Sequence, residues 1–170
     1  MSDKPKKLSK SALSKYASEL NQKKIVYILD GKHSCTISKI FLETDVEALV
    51  LEYVQLVNEL NQIKDITPET MLCVPRLLYG LICKHFTDLP IEMTNIHEIV
   101  GTTKDLLNTG IVGQLFSGDP DHGFEQSEIE KVSKAINKVS KNIGQAIGEM
   151  VIKDTLSNSE FVEEEVEDGE

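Results

Sequence analysis

The most regular apolar pattern in the chain lies towards its end. Ile129, Val132, Ile136, Val139, Ile143, Ala146 and Met150 recur at alternating steps of three and four residues. That is an a/d repeat, the period of a helix with one narrow apolar seam. Ser127 and Glu130 hold the capping-box spacing at its start, so a long helix is expected over residues 127–156. Lys131, Lys134, Lys138 and Lys141 border the seam, and Gly144, Ala146 and Gly148 leave room for a close helix neighbour. The seam either docks on the rest of the chain or joins two chains. The seven apolar residues are the expected interface, and a charged border suits a polar rim.

Earlier segments show two other periods. Residues 11–20 place Leu13, Tyr16, Ala17 and Leu20 on one side of a short helix. KIVYIL at 24–29 and CTISKIF at 35–41 are rich in β-branched and aromatic residues, and Asp30-Gly31 lies between them. Two such runs around a DG turn signal a hairpin. Because two strands alone are marginal, the hairpin must pack on helices or pair with another edge.

From Thr44, with Glu47 at capping-box spacing and Asp45 in the first turn, the pattern turns helical. Val46, Leu49, Val50, Tyr53, Val54, Val57 and Leu60 form a broad stripe over about four turns. Thr67 and Pro68 are the expected cap and first position of a second helix carrying Met71, Leu72, Leu78, Leu81 and Ile82. Pro75 predicts a kink or a restart within it. A third helix starts after Thr94 or Asn95, buries Ile96, Ile99, Val100 and Leu106 or Leu107, and stops at Gly110. IVGQLF at 111–116 is too short to classify, and SGDPDHG at 117–123 is a loop.

The fold class expected is therefore mainly α (α+β), a helical domain with an N-terminal β-hairpin and a long C-terminal heptad-patterned helix. The organisation is a Lys-rich arm at 1–23, a hairpin and helical core at 24–116, a loop at 117–126, the long helix at 127–156 and an acidic tail at 157–170.

Charge sharpens this division. Residues 1–24 carry seven Lys against Asp3 and Glu19, whereas the whole chain of 170 residues has a net charge of -10. From Glu160 to Glu170 there are seven acidic residues, no basic one, and only Phe161, Val162 and Val166 as apolar residues. A segment with so little to bury is expected to be disordered, either as a solubilising tail, as a partner-facing arm, or folded over the Lys-rich start. An anionic protein is not a general nucleic-acid binder. No apolar run reaches the roughly 18 residues that cross a bilayer, and the Lys-rich start lacks the apolar core of a secretory signal. Three unevenly spaced Cys are expected to be reduced thiols, which places the protein in the cytoplasm.

Candidate chemistry is sparse. There is no phosphate-binding loop around Gly101-Thr102-Thr103-Lys104, no dinucleotide fingerprint at Gly110 and Gly113, and no nucleophile elbow. Asp119 and Asp121 share a turn without the twelve-residue calcium pattern. His33-x-Cys35 and Cys83-x-His85 are the one metal-like set. On a helix, residues 83 and 85 diverge by about 200°, so buried thiols are the simpler reading. His97 and His122 have no acid or nucleophile at a telling spacing. No cofactor, metal or catalytic residue is expected, and the chain reads as a non-enzyme.

The early hairpin KKIVYILDGKHSCTISKIF, the capped helices and the apolar segment LLYGLICKHFTDLP together resemble the small tail assembly chaperones of long-tailed bacteriophages, over residues 24–110. The resemblance does not cover the heptad helix and carries no site residue across. It implies a protein that self-associates, binds the tape-measure protein or another tail component in the host cytoplasm, and is absent from the finished virion. The reading is a non-enzymatic interaction or assembly factor, a homo-oligomer with a protein partner. The alternative is a small regulatory protein contacting nucleic acid through its Lys-rich start.

Overall fold

The computed structural model describes residues 7–61, 68–91 and 95–141. It divides into two compact units, Met1–Val132 and Ser133–Glu170. The first is the expected mainly helical body led by a β-hairpin.

Helix α1, Lys10–Leu20, begins where the Ser9 hydroxyl accepts a hydrogen bond from the Ala12 amide at 3.2 Å. This side chain satisfies one of the donors a helix start leaves open. Strands β1, Lys23–Ile28, and β2, His33–Ser38, pair antiparallel with Val26 opposite Cys35. Alternation along each strand puts Val26, Ile28, Cys35 and Ile37 on the buried face, while Ile25 and Tyr27 stand on the exposed one. The hairpin has both of the supports that were open to it. Its inner face packs on the core, and the outer edge of β2 gains a bridge from Ile37 to Thr87. Next to that bridge, the Asp88 amide donates to the Thr36 carbonyl at 3.0 Å, and the Thr36 amide donates to the Asp88 carboxylate at 2.7 Å.

Asp30-Gly31 lies within the turn, as expected. Four residues, 29–32, connect the strands, and Leu29, Asp30 and Gly31 all have positive φ. Gly31 adopts this at no steric cost, whereas Leu29 at φ 53° is strained. Strand β2 ends at Ser38, earlier than the apolar run, because Phe41 leaves the sheet for the core.

Helix α2 spans Glu43–Asn61, starting one residue before the expected cap. The Leu42 carbonyl accepts from the Asp45 and Val46 amides, so Thr44 lies inside the first turn. Val46, Leu49, Val50, Leu56 and Leu60 are buried and Leu51 faces outward. Helix α3, Pro68–Phe86, starts at proline as expected and runs through Pro75 without a restart. Leu77, Leu81, Ile82, Cys83 and Phe86 fill its buried side. Thr67 lies outside the described residues.

Helix α4, Ile96–Asn108, is capped by Asn95, whose side chain accepts from the Glu98 amide at 3.1 Å. It crosses α3 at Gly80, where a Cβ would overlap the Thr103 hydroxyl. Thr103 is buried, and its hydroxyl donates back to the Ile99 carbonyl at 2.6 Å. Gly110, with φ 79°, turns the chain into α5, Ile111–Leu115, so the unclassified IVGQL is one helical turn. A further helix, α6, starts at residue 126 and continues through the last described residue, 141.

The centre is aromatic and draws on segments far apart in sequence. Phe41 stacks on Phe86 with centroids 3.7 Å apart, and Phe124 meets Phe41 edge-on at 5.2 Å. Phe116 contacts Phe124 at 5.4 Å and Tyr79 at 4.9 Å, both edge-on. Such pairs add to the burial of the rings themselves.

Candidate protein-interaction faces

Two helical faces marked by apolar periodicity have contrasting surroundings. The first residues of the heptad belong to a built junction. Val132 is fully buried and Ile129 partly so. One position earlier in each case, polar side chains hold the backbone of Phe41. The Glu128 carboxylate accepts the Phe41 amide at 2.6 Å, and the Lys131 ammonium donates to the Phe41 carbonyl at 2.9 Å. Lys131 and Glu128 pair at 2.7 Å. Three groups thus satisfy one another where β2 hands over to α2, and Val132 serves the core beside them. In the second unit, Ile136 and Val139 are partly exposed. Ile143, Ala146 and Met150 lie outside the described residues, as does the acidic tail.

Helix α1 is the reverse case. It carries the expected stripe of Leu13, Tyr16, Ala17 and Leu20, yet buries none of its residues. Tyr16 is 60% exposed. Its visible charge contact is the Lys15–Glu19 pair at 3.9 Å, itself open to water. The period alone gave no sign that this stripe stands apart from the core.

The chemistry-bearing residues go to four separate places. His85 and Lys84 both reach Glu52, at 2.8 and 2.6 Å. Burial pushes the Glu52 carboxyl up, but the hydrogen bonds and charges of Lys84 and His85 more than offset this, leaving its pKa below the ordinary value. Cys35 and Cys83 are both buried. Burial, with Asp88 as neighbour, pushes the Cys35 thiol up to about 11, and burial with the nearby Cys35 pushes Cys83 up to about 12. Such thiols stay protonated and make poor nucleophiles. His33 lines a cleft of about 420 Å³ with Asp30, Lys32, Thr109 and Gln114, whose lining includes neither thiol. His122 pairs with Asp119 at 2.8 Å inside the 117–123 loop. Backbone hydrogen bonding from Asp121, then the contact with His122, holds the Asp119 carboxyl below its usual value. The structure brings Cys35 and Cys83 together but not the histidines. Among the described residues no group of three or more His, Cys, Asp or Glu is placed to hold a metal. Among them, also, no helix is long and apolar enough to cross a membrane.

Comparison with known protein families matches residues 11–170 to the family described as YomO. The chain belongs to the YomO family. The match takes in α1, the hairpin, the helical body and the whole of the heptad segment, so these form one family unit. No curated protein and no solved structure matches the chain.

Proposed function

We propose that this YomO-family chain is a non-enzymatic assembly factor that self-associates and binds another protein through apolar helix faces. The observation behind this is α1, an amphipathic helix in which no residue is buried. An apolar stripe left in water is an unfavourable use of sequence unless something covers it part of the time. The heptad supports the same reading, since among its described members Val132 alone is fully buried. The likeness of residues 24–110 to phage tail assembly chaperones supplies the proposed partner, a tail component of a long-tailed bacteriophage, and a place of action in the host cytoplasm.

Sedimentation over a roughly hundredfold concentration range tests self-association, because assembly contributes to stability by mass action. The apparent mass and unfolding midpoint should both rise with concentration, and Ile143→Asp should give a monomer whose first unit keeps its fold. A monomer throughout, with a fixed midpoint, would sink the idea. Co-expression with a tape-measure protein tests the partner, and recovery of either protein alone counts against it.

A further inference from the structure

Exposed apolar side chains are concentrated in one stretch of the chain. Of the ten large hydrophobic residues exposed among those described, six lie between Leu8 and Tyr27. Leu13, Tyr16 and Leu20 share one side of α1, and Ile25 and Tyr27 share the outer face of β1 two residues further on. Lys10 borders the α1 stripe at helical spacing, whereas Lys15 lies on the far side of the helix, where it pairs with Glu19. Residues 1–24 together carry seven Lys and two acidic groups. An occupant of this surface has to offer apolar side chains embedded in negative charge.

One segment of the chain has that composition. Residues 160–170 hold seven acidic groups with Phe161, Val162 and Val166, and no basic group to oppose the lysines. We propose that the α1 face receives residues 160–170 of a second copy of this chain. This rests on the self-association reading and gives it a second contact besides the heptad seam. Reciprocal exchange of the two segments closes a dimer, whereas one-way exchange closes a ring or extends a chain of subunits. Exposed ion pairs contribute little singly and weaken with salt. The contact is therefore weak alone and gains from the heptad seam, which raises the effective concentration of the segment.

The test uses the full-length protein. Unlabelled and heavy-nitrogen-labelled chains are mixed in equal amounts and treated with a carbodiimide, which joins amines to carboxylates in direct contact. Peptides linking Lys7 or Lys10 to Glu163, Glu164 or Glu165 are then sorted by isotope. Mixed-isotope links as frequent as same-isotope links are expected. They should fall about tenfold, the loss of roughly one good contact, when Leu13→Ser and Tyr16→Ser are combined. The double variant keeps its fold because α1 buries nothing, and circular dichroism checks this. Leu51→Ser, at a residue 72% exposed on α2, should leave the links intact. Same-isotope links alone would place the segment on its own chain and overturn the proposal. No such link in a protein whose mass still rises with concentration would overturn it while leaving self-association standing. No link in a constant monomer would remove both. Retention of the chain by DNA or anionic vesicles at about 150 mM salt, without mixed links, would assign the face to a polyanion and likewise overturn it.

Discussion

Helix α1 and the start of α6 carry apolar stripes of similar regularity, and their fates are opposite. Val132 is fully buried, with the Phe41 backbone held by Glu128 and Lys131 alongside. Leu13, Tyr16 and Leu20 on α1 all remain exposed. Periodicity reports that a helix has an apolar side. What decides whether the chain itself covers that side is a partner made elsewhere in sequence, here the segment around Phe41, whose backbone Glu128 and Lys131 hold. Ser9 caps α1 locally, so that helix forms without such a partner.

The sharpest test of this contrast is at the shared aromatic centre. Phe41→Ala should cost about 3–5 kcal/mol, read as a fall in the urea midpoint, because Phe41 is the ring on which Phe86 and Phe124 both pack. A loss below about 1 kcal/mol would mean the cluster is not the centre of the core. Val132→Ala should cost about 2 kcal/mol in the same measurement. A neutral result there would remove the distinction between the two helices.

A smaller effect is expected on acidification. The depressed Glu52 carboxyl contributes stability that is complete above its unfolded pKa of about 4.3 and is lost as pH falls through its lower folded value. The sign follows from the unfolded state binding more protons in that window. Glu52→Gln should flatten the stability profile below that unfolded value, and an unchanged profile would mean that Lys84 and His85 do not hold the carboxylate in solution. Smallest of all, Leu13→Ala and Tyr16→Ala should each move the stability of dilute protein by no more than about 0.5 kcal/mol. A loss approaching that of Val132→Ala would show that α1 is docked after all.

The elements themselves were largely legible. Pro68 and Gly110 fell at a helix start and a helix stop, and alternation set the hairpin faces; Ser127, expected as a cap, lies inside the first turn of α6, where the Glu125 carbonyl accepts from the Glu128 and Ile129 amides. The aromatic centre was not legible. Phe41 reads as the end of a strand and Phe124 as loop, since neither belongs to a periodic run and their contact spans distant segments. Leu29, expected in the first strand, belongs to the turn instead, and an apolar side chain gives no hint of its positive φ. Thr44 and Glu47 have capping-box spacing, yet the Leu42 carbonyl starts α2 earlier. For the candidate faces, the stripes were visible and their covering was not. The composition of Val132 and Tyr16 within a stripe is alike; only three-dimensional neighbours separate them.

The clasp on Phe41 also sets an order of events as the chain is made. Phe41 and Glu128 are 87 residues apart in sequence. Contacts of such separation close slowly, because the intervening chain must lose its freedom before they form. During synthesis the hairpin, α2 and α3 emerge before either Phe124 or Glu128 exists. Until then the Phe41–Phe86 stack lacks one side of its surroundings, and apolar surface waits uncovered. A chain halted before residue 124 is therefore the form most prone to aggregate. Release of the first unit from that state waits on the translation of residues 124–132, so its folding is timed by the arrival of the segment that opens the heptad.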